Sequence, residues 1–470
     1  MRHVSCVTRR IGSCLVLFAA MAVGVAGQSG QAGPKPQKKF LTGPLVIEDQ
    51  GSFFIGGVPK VTDYSTLPPA PGTPGIAPNA PIQPGPPAAT SAPHQITIGQ
   101  MYVQFQIPAK KAGPGWPVIM VHGSSHTAAC LEATPDGREG WFPYFVRKGN
   151  PTYIVDQAGR GRSGFDESVI HEGEVKITKG DLAGGMELLP RIGRIPDDGA
   201  WTNWFGHLVP ENSTILNGHL IRHGDPGDPN LDDKATPHGR PSFPTETQDP
   251  DAVRRMGAIG PTLGGPSEYL GLEYYKQLVP NAEVTLPGST CATCDPKEIS
   301  PANTWTPQNL AALVERLGGA IVATHSQSGI MGHHMARILK ERGHLELLKG
   351  LITIEGSCSL SNSGLTAADF DNIPYLALKG DYTPTSTACQ GTVDTINARR
   401  TSKLGTAKAD YVKLDDIGIL GVTHMMMLDV KNLQIADVIL NWVSRNIRGG
   451  RKAETTARQT VPEPKTAPGR

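Results

Sequence analysis

Thr324-His325-Ser326-Gln327-Ser328-Gly329 follows the apolar run Gly319-Ala320-Ile321-Val322-Ala323. It precedes Ile330-Met331-Gly332-His333-His334-Met335-Ala336-Arg337-Ile338-Leu339, which reads as a helix. A buried strand, a tight turn centred on a serine, then a helix is the setting of a nucleophile elbow. Such a turn is so sharp that the residues two before and two after the serine must be small. Thr324 and Ser328 hold those positions, a relaxed form of Gly-x-Ser-x-Gly. The turn would lift Oγ of Ser326 above the sheet and aim the N–H of Gln327 at a developing oxyanion. The competing reading is a plain strand-to-helix connection whose serine caps the helix.

Working outward, the same rhythm recurs on both sides. Upstream, Gly43 to Val61 reads as a β unit and Ile96 to Ile107 alternates as a strand should. Val118-Ile119-Met120-Val121 and Thr152-Tyr153-Ile154-Val155-Asp156 are buried strand cores. Between them, Gly137 to Lys148 reads as a helix with Trp141, Tyr144 and Phe145 inward. Downstream, helix Pro307–Leu317 leads into the elbow, and helix Ile330–Arg342 leads to strand Gly350–Glu355. Strands follow at Tyr375–Lys379 and Tyr411–Leu414, and Leu433–Ile447 closes the chain as an amphipathic helix. This alternation implies an α/β fold, a mostly parallel sheet with helices on both faces. Ligands of such sheets collect at the carboxyl ends of the strands.

Two stretches break the rhythm. Residues 67–93 are dominated by Pro, Gly and Ala and read as an extended insertion. Residues 165–304 are too long for a plain loop and read as a cap. Cap aromatics such as Trp201, Trp204 and Tyr274 would line a pocket or, the favoured reading for any one of them, form the cap's own core. The expected organisation is therefore a signal peptide at 1–27, core at 28–164, cap at 165–304, core again at 305–448 and a polar, disordered tail at 449–470.

The signal reading rests on Arg9 and Arg10, the uncharged apolar run Ile11 to Val25, and small residues Gly24, Ala26 and Gly27. The run is shorter than a membrane span needs. The expectation is an exported protein, periplasmic or extracellular, with no integral span after cleavage. Losing Arg2, Arg9 and Arg10 would take the formal charge of the 470-residue chain from +1 to −2. A near-neutral protein gives no reason to invoke nucleic acid or an acidic membrane. Of the cysteines beyond the signal, Cys291 and Cys294 are close enough for a local bridge, since no second Cys/His pair at zinc spacing accompanies them. Cys358 and Cys389 each follow a neighbouring strand and could pair, leaving Cys130 as the odd thiol.

A serine hydroxyl needs a histidine to take its proton. His424 follows the last strand and precedes the closing helix, where the base of a Ser, acid, His order belongs. His325 adjoins the serine, but its side chain is expected to project away from Oγ. His333 and His334 lie on the elbow helix with no ligand pattern. The acid that orients the imidazole is Glu355, ending the first strand after the elbow, or Asp381, following the next. Local sequence leaves these two tied, with Asp415 and Asp416 weaker. The turn His122-Gly123-Ser124-Ser125 after a buried strand offers the second oxyanion donor, the N–H of Ser124, beside Gln327.

With these motifs assembled, the chain resembles the α/β-hydrolase family over about residues 96–164 and 305–447. It is similar more closely to the bacterial esterase-713-like subgroup. The segments that carry this are Gly51-Ser52-Phe53-Phe54-Ile55-Gly56-Gly57, Thr134-Pro135-Asp136-Gly137-Arg138-Glu139-Gly140-Trp141, Asp156-Gln157-Ala158-Gly159-Arg160-Gly161-Arg162-Ser163, the elbow itself, and Thr423-His424-Met425. The resemblance implies a carboxylic-ester hydrolase whose acid is the glutamate after the strand that follows the elbow, hence Glu355 over Asp381. It implies a small-molecule ester substrate and no metal or cofactor. Lactonase, amidase and peptidase activity share the same machinery. A non-catalytic exported binding protein would be expected to lack one of its groups.

Overall fold

The computed structural model describes residues 40–62, 94–188, 194–197, 200, 204, 213–216, 219–222, 273–280, 304–360, 364–381 and 388–449. The expected signal segment, the Pro-rich stretch, Trp201, Cys291, Cys294, most of the cap and the tail beyond Gly449 lie outside the described residues.

Eight strands build the main sheet. They are β1 (Ile47–Thr62), β2 (His94–Pro108), β3 (Val118–Val121), β4 (Thr152–Asp156), β7 (Ala320–His325), β8 (Leu348–Ile354), β9 (Tyr375–Lys379) and β10 (Ala409–Lys413). A separate two-stranded antiparallel sheet pairs β5 (Ser213–Leu216) with β6 (His219–Arg222). The main-sheet order is β1-β2-β4-β3-β7-β8-β9-β10. The pairs β1/β2 and β2/β4 are antiparallel, and every pairing from β4 to β10 is parallel. The sheet is mostly parallel, as the strand–helix rhythm predicts.

Parallel strands covered on both faces have to be apolar throughout. All six residues of β7 are buried, and they alternate between two cores. Ile321 and Ala323 face a cluster with Trp141, Phe145, Ile435, Ile439 and Trp442. Ala320 and Val322 face the opposite cluster with Leu310, Leu313, Met335, Leu339 and Val393. The first face is covered by α1 (Trp141–Arg147) and α7 (Asn432–Asn446), the second by α4 (Trp305–Arg316), α5 (Ser328–Glu341) and α6 (Ala388–Thr401). In α7, Ile435, Ile439 and Val443 recur every fourth residue and line one stripe. Truncating any one of them to alanine would cost about 2–5 kcal/mol, because the packed sheet cannot collapse into the void.

Two expectations need correcting. The helix foreseen from Gly137 begins at Trp141, because residues 133–139 form a turn closed by an Ala133–Glu139 bridge. Pro143 is tolerated there, since a first-turn N–H has no intrahelical acceptor. Helix α6 was not foreseen at all. Its sequence is polar and shows little amphipathic pattern, yet two adjacent parallel strands such as β9 and β10 require a crossover. Two helices, α2 (Ser168–Thr178) and α3 (Leu182–Leu188), follow β4.

Cys358 and Cys389 form a disulfide that ties the segment after β8 to the start of α6. Cys130 is a buried free thiol. The parallel strands β3, β4, β7, β8 and β9 end on the same edge, and Ser124, Ser326, Gln327, Glu355, Asp381 and His424 lie just past one of those ends or on a loop folded over them.

Candidate active site

Ser326 occupies the turn from β7 into α5 with φ of 55°, the left-handed region that a serine adopts only when its surroundings enforce it. Three backbone bonds enforce it here. Its N–H donates to Ile354 O at 3.0 Å, and its carbonyl accepts from Gly329 N at 3.0 Å and Ser357 N at 2.9 Å. Oγ of Ser328 accepts the His325 N–H at 2.9 Å, which closes the elbow from within. The small-residue requirement is visible in the contacts. A Cβ on Gly329 would stand 2.7 Å from Ser357 O, and one on Gly123 would stand 2.8 Å from Ser326 Cβ. The loops after β8 and β3 therefore close directly on the serine.

His424 sits in a loop after β10 that is fastened at nearly every residue. The N–H groups of Gly421 and Val422 donate to the two oxygens of Asp381 at 2.9 and 2.7 Å. Thr423 donates its N–H and its hydroxyl to Asp429, both at 2.8 Å. The His424 N–H reaches Trp204 O at 2.9 Å. Its carbonyl lies 2.8 Å from His325 Nε2, which must be the donor. Arg138 backs the loop by donating to Leu428 O and Asp429 O, each at 2.9 Å. His325 was expected to project away from the serine hydroxyl. It turns toward the His424 loop, with the two rings 4.8 Å apart.

The imidazole Nδ1 of His424 lies 3.3 Å from Glu355 Oε2. Glu355 also holds a left-handed conformation, φ 47°, and its side chain is 5 % exposed. Its carboxylate accepts Lys379 Nζ at 2.9 Å on both oxygens, together with the Gly380 N–H. Burial opposes ionisation, but the His424 hydrogen bond and the Lys379 charge hold this carboxyl below the usual glutamate range. The two acids left tied by local sequence thus have different partners: Glu355 faces the imidazole, and Asp381 binds the backbone of the loop that carries it. Asp415 and Asp416 pair with Lys413.

Ser124 lies in the turn after β3. Its carbonyl takes a hydrogen bond from His126 Nδ1 at 2.7 Å, so Nε2 of that ring accepts from the Tyr274 hydroxyl at 3.1 Å. Burial pushes His126 down to about 3, and burial assisted by the nearby Arg160 charge does the same to His122. Both rings are neutral near pH 7. Tyr274 is fully buried and Trp204 nearly so, packed 5.0 Å from His126 and 6.3 Å from His424, ring centre to ring centre. Both rings join the core cluster on one face of the main sheet rather than a separate core of their own, and Trp204 also stacks on His424. His333 is buried against Tyr375 and Phe370 and belongs to the packing of α5.

Sequence reasoning missed Lys379, Asp429, Arg138, Arg160 and His126. Lys379 and Asp381 bracket one glycine at a strand end, a visible signal. Arg138 and Arg160 fall in segments noticed for their resemblance but given no role. Among the described residues, no cluster of His, Cys, Asp or Glu is suited to a metal ion, and no helix is long and apolar enough to cross a membrane.

No family model matches the sequence. A probable secreted lipase, phiG, of Fungal sp. (strain ATCC 74256) is 22 % identical over 392 residues, 73 % of this chain and 86 % of the relative. A solved bacterial esterase is 27 % identical with a TM-score of 0.59, covering 87 % of this chain and 99 % of its own. Sheet order, elbow and this likeness together give the chain an α/β-hydrolase fold, similar over most of its length to that of a bacterial esterase.

Proposed function

We propose that the protein is an exported serine esterase that hydrolyses carboxylic esters through Ser326, His424 and Glu355. The observation that carries this reading is the contact between His424 Nδ1 and the Glu355 carboxylate, on a loop fastened to the elbow of Ser326. A proton on Nδ1, directed at the carboxylate, leaves Nε2 as the basic nitrogen. Ser326 Oγ attacks the ester carbonyl carbon while its proton passes to Nε2. The carbonyl π pair moves onto oxygen, and the oxyanion is met by the N–H groups of Ser124 and Gln327. The intermediate collapses, the alcohol leaves with the proton from the imidazolium, and the acyl group stays on Oγ. Water then repeats the sequence with the acyl-serine as its target and releases the carboxylic acid. Glu355 stays ionised throughout and stabilises the imidazolium.

Residues 165–304 act as the cap, and Trp204 fits this role because it touches His424 by ring and backbone. Export is supported by the N-terminal pattern and by the Cys358–Cys389 bridge, which suits an oxidising compartment. The relative described as secreted points the same way.

The test is labelling of the purified protein with a fluorescent fluorophosphonate, followed by turnover of p-nitrophenyl esters of graded acyl length. Wild type is expected to label and turn over. Ser326→Ala is expected to fold equally well, since alanine meets the same φ, and to lose roughly 10⁵–10⁶ in kcat. A folded wild type that neither labels nor hydrolyses any ester would sink the proposal. Lactone, amide and peptide substrates belong in the same panel.

A further inference from the structure

Arg160 lies in the glycine-rich turn after β4 and is 1 % exposed. Taking a guanidinium out of water is costly, so its donors must be well used. Nη1 donates to Gly123 O at 2.7 Å, and Nη2 donates to the side-chain oxygen of Gln327. The two acceptors belong to the two separate turns that supply the candidate oxyanion donors.

The first contact acts on the donor itself. Gly123 O and Ser124 N–H are the two ends of one planar peptide group. Fixing the oxygen fixes the plane, and therefore the direction of the N–H at the opposite end. A cation bonded to the oxygen also draws electron density toward it, which strengthens the N–H as a donor. The same oxygen has a second donor. Nε2 of His122 accepts the Gln157 N–H at 3.0 Å, so its proton is on Nδ1, 2.9 Å from Gly123 O. The second contact ties the Gln327 side chain to the same guanidinium. An arginine fork spans two acceptors at once; a lysine ammonium reaches them as a single point.

We propose that Arg160 is a positioning residue of the oxyanion hole, holding the Gly123–Ser124 peptide and Gln327 so that both N–H groups converge on the developing oxyanion. This rests on the reading of Ser326 as the nucleophile. It gives a role to Asp156-Gln157-Ala158-Gly159-Arg160-Gly161-Arg162-Ser163, which the triad leaves unused.

The experiment compares wild type, Arg160→Met and Arg160→Lys with a p-nitrophenyl ester, measuring kcat, KM, thermal melting and inhibition by an alkylboronic acid. The boronate adds to the serine and mimics the tetrahedral intermediate. Arg160→Met is expected to lower kcat and boronate affinity in parallel, by at least about tenfold, with KM within about threefold of wild type. Arg160→Lys should fall between. If Arg160→Met does not fold, Gln327→Leu keeps its backbone donor, removes one arm of the clamp, and should lose several-fold in the same two quantities. A folded Arg160→Met, or Gln327→Leu in its place, with wild-type kcat and boronate affinity would overturn the inference. So would a lower melting temperature without a selective loss of boronate affinity, the mark of a merely structural brace. A wild type that does not label at Ser326 overturns the esterase reading itself; labelled variants with wild-type kcat and boronate affinity overturn only the role of Arg160.

Discussion

The loop of His424 and the turns beside Ser326 are both held by polar side chains, but those side chains meet different ends of the backbone. On the histidine side, besides the donors Arg138 and His325 on its carbonyls, carboxylates take up backbone N–H groups. Asp381 takes the N–H groups of Gly421 and Val422, and Asp429 takes the N–H and the hydroxyl of Thr423. On the other side the fasteners are cationic or neutral donors: Arg160 and His122 on Gly123 O, and His126 on Ser124 O. A clamp that accepts hydrogen bonds consumes N–H groups. A clamp that donates consumes carbonyls and leaves the N–H ends pointing elsewhere. On the proposed reading, only the second side has to offer N–H groups to an oxyanion. The polarity of each clamp matches what its region must leave unspent.

The largest test of this contrast compares the two acids. Glu355→Gln keeps the shape but can no longer hold an imidazolium, and kcat is expected to fall about 10³–10⁴-fold. Asp381→Asn leaves the imidazole partner untouched and turns one of its two acceptors into a donor facing an N–H. The expected loss is about tenfold in kcat, with about 1–3 kcal/mol in stability. Denaturant melts and ester kinetics on both variants check the ranking. Equal losses in kcat would erase the distinction between an acid that serves the ring and one that serves the loop.

The sequence made some of this legible and hid the rest for physical reasons. β3, β7 and β9 read cleanly because strands buried on both faces are apolar without interruption. The places of Ser326 and His424 in the fold read cleanly, because each follows a strand in a turn whose composition is constrained. Helix α6 did not, since its place is dictated by the crossover between β9 and β10 and its own pattern is faint. The choice between Glu355 and Asp381 was also hidden. It depends on the left-handed backbone at Glu355 and on the Gly380 N–H that meets its carboxylate, and both are products of the tertiary fold. Arg160 was noticed as part of a motif, but its partners lie 37 and 167 residues away, beyond any local pattern.

The smallest expected effect separates the two regions by acidity. His122 and His126 fold in the neutral form, each pushed down to about 3 by burial, whereas an unfolded histidine titrates near 6.5. As pH falls below about 6.5 the unfolded chain gains protons that the folded chain refuses, so stability declines until the pH approaches 3. Glu355 adds a later loss. Its folded carboxyl lies below the ordinary value, so its contribution is intact above about 4.5 and fades as the pH drops through the lowered one. Between pH 6.5 and 4.5 the decline therefore belongs to buried histidines and leaves the Glu355 contribution in place. Each such histidine contributes a slope of at most about 1.4 kcal/mol per pH unit. His126→Gln keeps a donor toward Ser124 O and cannot titrate, so its urea-unfolding curves between pH 7 and 5 should be shallower than those of wild type by up to that amount. Parallel curves for the two proteins would show that His126 is protonated in the fold, and the neutral-donor account of the Ser124 turn would fall with it.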